Sequence, residues 1–198
     1  GTRYAVMDAW DPEELPNMAL APCHVWYQYG VWEDKFLDLH MMQRSCDTFL
    51  GVPFNRTGPA IQQILVAREL GLQPREFYHT LINVHLYAGV GQRTEFLKND
   101  KNLKEFRDKV REASKPSDYL DVRNWYLDNA PEEGKLHERK DHIPFVLEQL
   151  SKEPYALPTA RVTSDLPLFE LIERPAAEVL SLGNYQYHKW DSKARMAA

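Results

Sequence analysis

Gln43-Arg44-Ser45-Cys46-Asp47-Thr48-Phe49-Leu50-Gly51-Val52-Pro53-Phe54-Asn55 is the stretch on which the fold turns. Just before it, Phe36 to Met42 reads FLDLHMM, with Leu37, Leu39 and Met41 on one face at period two. That alternation predicts a half-buried strand. The chain then becomes polar at Gln43 to Asp47, where the strand leaves the core, and Gly51 to Phe54 is expected to interrupt regular structure. A helix follows, with Thr57 as N-cap, Pro59 in its first turn, Gly71 past its end, and Ile61, Ile64, Leu65 and Leu70 as its apolar stripe.

Working outward, Cys23 to Val31 (CHVWYQYGV) is rich in aromatic and β-branched residues. It predicts a second strand, joined to the first as an antiparallel hairpin through Trp32-Glu33-Asp34-Lys35. Arg3 to Trp10 reads as another strand. Pro74 to Thr80 reads as a short helix and Leu81 to Tyr87 as a strand. From Gln92 to Lys140 the chain is highly charged. An amphipathic helix is expected up to Ala113, a loop at Lys115 to Asp118, and a helix over His142 to Leu150. Arg161 to Thr163 and Leu168 to Glu173 are short strand candidates. The tail from Asn184 carries Tyr185, Tyr187 and Trp190, so it is not a bland polar end. No internal repeat is visible.

Composition narrows the class. The 198 residues suffice for one domain with a real core. With 43% hydrophobic and 27% charged residues, neither disorder nor a fibrous repeat fits. Twenty-four basic against 29 acidic residues give a net charge of −5, which argues against a dedicated nucleic-acid binder. Two cysteines, Cys23 and Cys46, are too few for a disulfide framework. No apolar run reaches the roughly 18 residues of a membrane span, and no signal-peptide pattern is present, so the expected location is the cytoplasm, with no membrane partner. His137-Glu138 and His142 resemble a zinc motif, but the histidines are five apart where a helical pair needs about four, so no metal is expected. Asn55-Arg56-Thr57 is a formal glycosylation acceptor, taken as coincidence.

Two local groupings bear on chemistry. Cys23 is either a small buried hydrophobe or a nucleophile. The second role needs a thiolate, which neighbouring cations favour, and Arg44 on the next strand is a candidate. Arg44 and Ser45 together form either a phosphate clamp, through the guanidinium fork and a hydroxyl, or part of a structural Arg–Asp pair.

Met18-Ala19-Leu20-Ala21-Pro22-Cys23-His24 resembles the active-site strand of the thymidylate synthase family, and Gln43 to Asn55 resembles its phosphate and nucleotide-binding segment almost residue for residue. His85-Leu86-Tyr87, Glu153-Pro154 with Leu157-Pro158, and the ending KARMAA (Lys193 to Ala198) resemble further features of that family. The resemblance implies an α+β fold with a mixed, mainly antiparallel sheet packed against helices. It also implies a homodimer formed through the sheet faces. Residues 1–87 would be the nucleotide-binding and catalytic part, 88–141 an extra charged and helical insertion, and 142–198 the rest of the same domain with a closing tail. The implied reaction is one-carbon transfer from 5,10-methylenetetrahydrofolate to C5 of dUMP, through a covalent adduct of Cys23 at C6.

By the same resemblance, Arg44 and Ser45 bind the nucleotide phosphate, and Arg3 reaches the phosphate site of the partner subunit. Asn55 reads uracil, accepting from N3–H and donating to O4. His85 and Tyr87 bind the sugar hydroxyl. Asp47 hydrogen-bonds the folate ring, Gly51 leaves room for it, and the tail ending at Ala198 closes over the site. The chain also departs from the family's pattern. The N-terminal half is not represented, which leaves room for a second polypeptide to supply it. Tyr4 stands where a second cross-subunit arginine is usual, Gly58 where a serine is, and Asn83 where an aspartate is; Arg56 is unexpected. Two other activities remain open at this level. One is a deoxyuridylate hydroxymethylase, in which water rather than hydride completes the reaction, making 5-hydroxymethyl-dUMP for modified DNA. The other is a non-catalytic nucleotide- or RNA-binding or regulatory relative, against which the retained Cys23, Arg44, Asn55, His85 and Tyr87 speak.

Overall fold

A computed structural model describes residues 4–89, 92–131 and 140–189. Arg3, the His137-Glu138 pair and residues 190–198 of the tail lie outside the described residues. The chain divides into two compact units, one of Gly1–His85 with Leu157–Tyr185, the other of Leu86–Ala156 with Gln186–Ala198.

The first unit is built on a four-stranded sheet in the order β1 (Val6–Asp8), β2 (His24–Trp32), β3 (Phe36–Asp47) and β4 (Gln73–His85). The β1–β2 and β2–β3 pairings are antiparallel and β3–β4 is parallel, so the sheet is mixed and mainly antiparallel, as expected. β2 and β3 form the predicted hairpin. Glu33 and Asp34 both take the left-handed conformation (φ 52° and 50°), and Lys35 N–H donates to Trp32 O at 3.1 Å. Two consecutive positive φ values are the signature of the turn whose twist matches the flanking strands. The period-two face is real: Leu37, Leu39 and Met41 are buried, and Tyr29 and Phe77 pack against the Tyr27–Leu39–Met41 core. Each fully buried side chain of this kind contributes about 1.5–3 kcal/mol.

A parallel pair needs a long crossover, and α1 (Gly51–Glu69) supplies it. The expected interruption at Gly51 to Phe54 is overturned: the helix begins at Gly51. Pro53 falls in the first turn, where no N–H is needed. Thr57 is therefore not an N-cap. Its Oγ1 donates back to Pro53 O at 2.8 Å from inside the helix, and Pro59 is likewise interior. The far end matches expectation, with Gly71 at φ 67° just after Leu70. Gln63, buried on the inner side of α1, donates to Leu37 O (2.8 Å) and Glu76 O (2.9 Å). It thus ties the helix to β3 and β4 where their pairing shifts register between Leu37 and Leu39.

The expected helix at Pro74 to Thr80 is also overturned, since β4 runs unbroken from Gln73 to His85. Phe77, His79 and Leu81 are half-buried, while Tyr78, Thr80 and Ile82 are exposed. Pairing with β3 outweighs the helix-start appearance of Pro74-Arg75-Glu76. Leu168 to Glu173 is not a strand. α6 (Leu168–Leu171) and α7 (Ala176–Val179) precede β6 (Leu180–Gly183), which pairs antiparallel with β5 (Thr159–Val162).

The second unit is helical: α2 (Gln92–Lys98), α3 (Asp100–Glu112), α4 (Pro116–Asn129) and α5 (Ile143–Leu150). Asn99 caps α3 by accepting from Lys101 N–H and Asn102 N–H, which divides the single helix expected up to Ala113. The expected loop at Lys115 to Asp118 is instead the start of α4, with Asp118 accepting from Ser114 N–H (3.0 Å) and Lys115 N–H (3.2 Å). Val122, Tyr126, Ala130, Ile143 and Leu147 form the core. Beside them Arg93 and Asp141 make a fully buried ion pair at 2.9 Å, and Tyr126 OH and Ile143 N–H also donate to Asp141.

Candidate active site

Sheet topology gathers the chemistry. β3 and β4 are parallel, so both end on one side, and β2, antiparallel to β3, begins there. Cys23 and His24 at the start of β2, Ser45 and Asp47 at the end of β3, and His85 at the end of β4 therefore share one end of the sheet. Gly51 and Asn55 join them on the first turns of α1.

Cys23 is half-buried. Its carbonyl accepts from Arg44 N–H at 2.8 Å, so the expected neighbourhood of Cys23 and Arg44 is a backbone ladder contact. The Arg44 guanidinium donates from Nε to Pro22 O (2.9 Å) and from Nη2 to Ala21 O (2.9 Å), and lies 5.3 Å from the Trp10 ring. It holds the chain that leads into Cys23. Three of its five N–H donors are not used by these two contacts. The other cysteine is different in kind: Cys46 is fully buried, donates to Gln43 O at 3.5 Å, and burial pushes its thiol pKa up. That favours the inert thiol there.

Asn55 sits in a polar chain that starts inside the protein. Gln43 continues the Leu37–Leu39–Met41 alternation and is completely buried. Its Nε2 donates to Ser45 O at 2.8 Å and to Asn55 Oδ1 at 2.9 Å, and its Oε1 lies 2.9 Å from His79 Nε2. The sequence alone assigns Gln43 no role. The signal available was a glutamine at the next period-two position of a buried strand face, where a polar group requires partners. No sequence motif marks His79.

Asp47 accepts from Phe49 N–H (3.2 Å) and Gly51 N–H (3.3 Å), steadying the start of α1. A Cβ on Gly51 would stand 3.3 Å from Asp47 Cβ and 3.4 Å from Asn55 Oδ1. Glycine there lets these two side chains approach. His85 pairs across from Asp47; its Nδ1 is 3.1 Å from Asn83 O, and its carbonyl accepts from Thr48 N–H and Oγ1, each at 3.0 Å. Tyr87 belongs to the helical unit, where its carbonyl accepts from His142 N–H at 2.9 Å.

Burial lowers the pKa of His24, and it lowers that of His79 with further help from the Arg56 and His24 charges. Tyr29, on the same inner face, is pushed up to about 12 by burial and by Tyr27. Among the described residues no cluster of three or more His, Cys, Asp or Glu is arranged to hold a metal ion, and no helix is long and apolar enough to cross a membrane.

A cysteine entering one strand, an Arg-Ser pair leaving the next, and an asparagine on the following helix meet at one end of a mixed α+β sheet. The chain belongs to the thymidylate synthase family, whose sequence model matches residues 1–198. It is 39% identical over 170 residues to the thymidylate synthase of Haloferax volcanii, covering 86% of this chain and 48% of that protein. Over 86 residues it is 49% identical to thymidylate synthases of Listeria monocytogenes and Listeria innocua, covering 43% of this chain and 27% of theirs. The chain thus spans about half the length of the Haloferax relative.

Proposed function

We propose that this chain carries the nucleotide-reading and nucleophilic part of a thymidylate synthase acting on dUMP. The observation that carries the reading is the meeting of Cys23, Arg44, Ser45, Asp47, Asn55 and His85 at one end of the sheet, in a member of this family. Arg44, through its remaining donors, and Ser45 hold the 5′-phosphate, joined by Arg3 from a partner copy. His85 and Tyr87 hold the 3′-hydroxyl. Asn55 accepts from N3–H of uracil and donates to O4.

The thiolate of Cys23 adds to C6, and the C5–C6 electron pair moves towards C5 and O4. The Asn55 side-chain N–H stabilises the charge that develops on O4, the kind of preorganised donor that lowers such barriers. Carbon 5 then bonds the one-carbon unit and gives its proton to a base, the bond from that unit to the folate nitrogen breaks, and hydride addition to the resulting methylene expels the Cys23 thiolate. Bound 5,10-methylenetetrahydrofolate supplies that unit and the hydride that completes the methyl group. Asp47, a carboxylate at the start of α1, accepts from the N–H groups of such a ring, and the tail through Ala198 excludes water. A homodimer is part of the reading. The outer face of β4 supports it, with Tyr78, Ile82 and Val84 each more than half exposed. The remaining half of the fold, on the same or a second polypeptide, completes the pocket.

The relatives' activity favours the synthase over the hydroxymethylase. Mass spectrometry of the product from dUMP and methylenetetrahydrofolate tests this. Thymidylate with dihydrofolate is expected. A product heavier by one oxygen, with tetrahydrofolate, would assign the hydroxymethylase, and no covalent adduct with 5-fluoro-dUMP would leave a binding protein.

A further inference from the structure

Nothing in base recognition by a single asparagine fixes which way its amide faces. An amide presents an oxygen and an NH2 of nearly the same shape, and turning it over exchanges a uracil reader for a cytosine reader. The direction here is set from within. Ser45 O is a main-chain carbonyl, so it can only accept, and the group facing it at 2.8 Å must be the Gln43 NH2. That NH2 also faces Asn55 at 2.9 Å, so the Asn55 group turned towards it must be the oxygen. The opposite end of Gln43 is then its oxygen, which lies 2.9 Å from His79 Nε2, and that nitrogen must carry a hydrogen. The His79 ring is held for this contact by stacking on Phe77 (centroids 5.8 Å apart, 11° between planes). Its other nitrogen, Nδ1, is buried without a hydrogen-bond partner among the described residues.

We propose that His79 is a specificity-positioning residue: donating from Nε2 to Gln43, it keeps Gln43, and through it Asn55, in the orientation that accepts from N3–H of uracil. This rests on the reading of Asn55 as the base-contacting residue. Turning Asn55 over would set two NH2 groups against each other. Turning Gln43 with it would set its oxygen against Ser45 O and its NH2 against the His79 N–H. To relieve that last clash His79 would have to move its hydrogen to Nδ1, which offers it no acceptor. The chain therefore runs in one direction, with Ser45 O at one end and His79 at the other.

The test compares binding of dUMP and dCMP by calorimetry to the complete natural polypeptide and to its His79→Phe and His79→Gln variants. Phenylalanine keeps the stacking on Phe77 and removes the donor; glutamine restores an N–H. The expected result is a clear preference for dUMP in the parent. That preference should fall about three- to tenfold in His79→Phe, the scale of one neutral hydrogen bond, and recover in His79→Gln. An unchanged ratio in His79→Phe, with the parent still preferring dUMP, overturns the role of His79 and leaves the reading of Asn55 standing. A parent without preference overturns both. A second measurement needs no variant. Nitrogen-15 NMR of the parent is expected to find neutral His79 protonated at Nε2, and protonation at Nδ1 would overturn the proposal.

Discussion

In the helical unit the buried Arg93–Asp141 pair is closed by fixed neighbours: Arg93 donates to Asp141 and Pro131 O, and Asp141 also takes hydrogen bonds from Tyr126 and Ile143. In the sheet unit Gln43 is equally buried, but its chain runs outward to half-exposed Asn55. On the same inner face His24 Nδ1, Tyr29 OH and His79 Nδ1 are buried without partners among the described residues, as is Arg123 Nε in the helical unit. A closed network serves packing alone. An open one accepts the cost of incomplete pairing and keeps polar groups directed at something further. The two units should accordingly fail in different ways.

Cys23→Ser is expected to give the largest effect, lowering turnover at least about a thousandfold with the unfolding temperature unchanged. Product formation at an undiminished rate would break the contrast at its centre. Asp141→Asn should do the reverse. It leaves the buried Arg93 uncompensated and should cost about 3–5 kcal/mol in denaturant unfolding. Replacing Arg93 and Asp141 together by apolar residues of similar volume should cost far less than the single change, because no buried charge is then left alone. Asn55→Asp comes next, reducing discrimination for dUMP over dCMP by about 1–3 kcal/mol in competitive binding, the scale of a mismatched buried polar group. Equal selectivity in the two forms would remove Asn55 from base reading.

Acid should reach the sheet unit first. Folding lowers the pKa of His24 and His79 from the ordinary 6.5, so in mildly acidic solution the unfolded chain binds more protons than the folded one. Stability from these groups is full above about pH 6.5 and falls as pH drops through that value towards the lowered ones. Urea midpoints at pH 7.5 and 5.5 should differ in that direction, and less so in a protein with both histidines replaced. The smallest effect belongs to Asp38, whose carboxyl is held below its ordinary value mainly by its hydrogen bond with Arg75. The pair is partly exposed, so its contribution, present above the ordinary carboxyl pKa and lost as pH falls below it, should be weak and screened by salt. Arg75→Gln should return the Asp38 titration, followed by NMR, towards the normal range.

The hairpin of β2 and β3 was readable because one face alternates cleanly through Leu37, Leu39 and Met41. The start of α1 was not, because Gly51, Pro53 and Pro59 look like breakers to a purely local reading. Pro53 in the first turn needs no donor, and Pro59 gives up only the bond to the Asn55 carbonyl. β4 was half-legible. Its alternation begins at Phe77, whereas Pro74-Arg75-Glu76 resembles a helix start and is overruled by pairing with β3. Family motifs brought Cys23, Arg44 and Asn55 to notice, but not the Gln43–His79 contact. It depends on β3 and β4 running parallel in one register, which no window of sequence contains.

The turn at Glu33 and Asp34 also has a consequence in time. A three-residue connection closes almost no loop, and hairpins form in about 1–10 μs, whereas joining β3 to β4 must wait for the whole α1 crossover. The strand that begins after Cys23 is therefore expected to find Arg44 before Asn55 and His85 arrive. In pulsed hydrogen exchange during refolding, amides of β2 should gain protection ahead of those of β4, so the Cys23–Arg44 corner of the sheet is assembled before the Asn55–His85 side joins it.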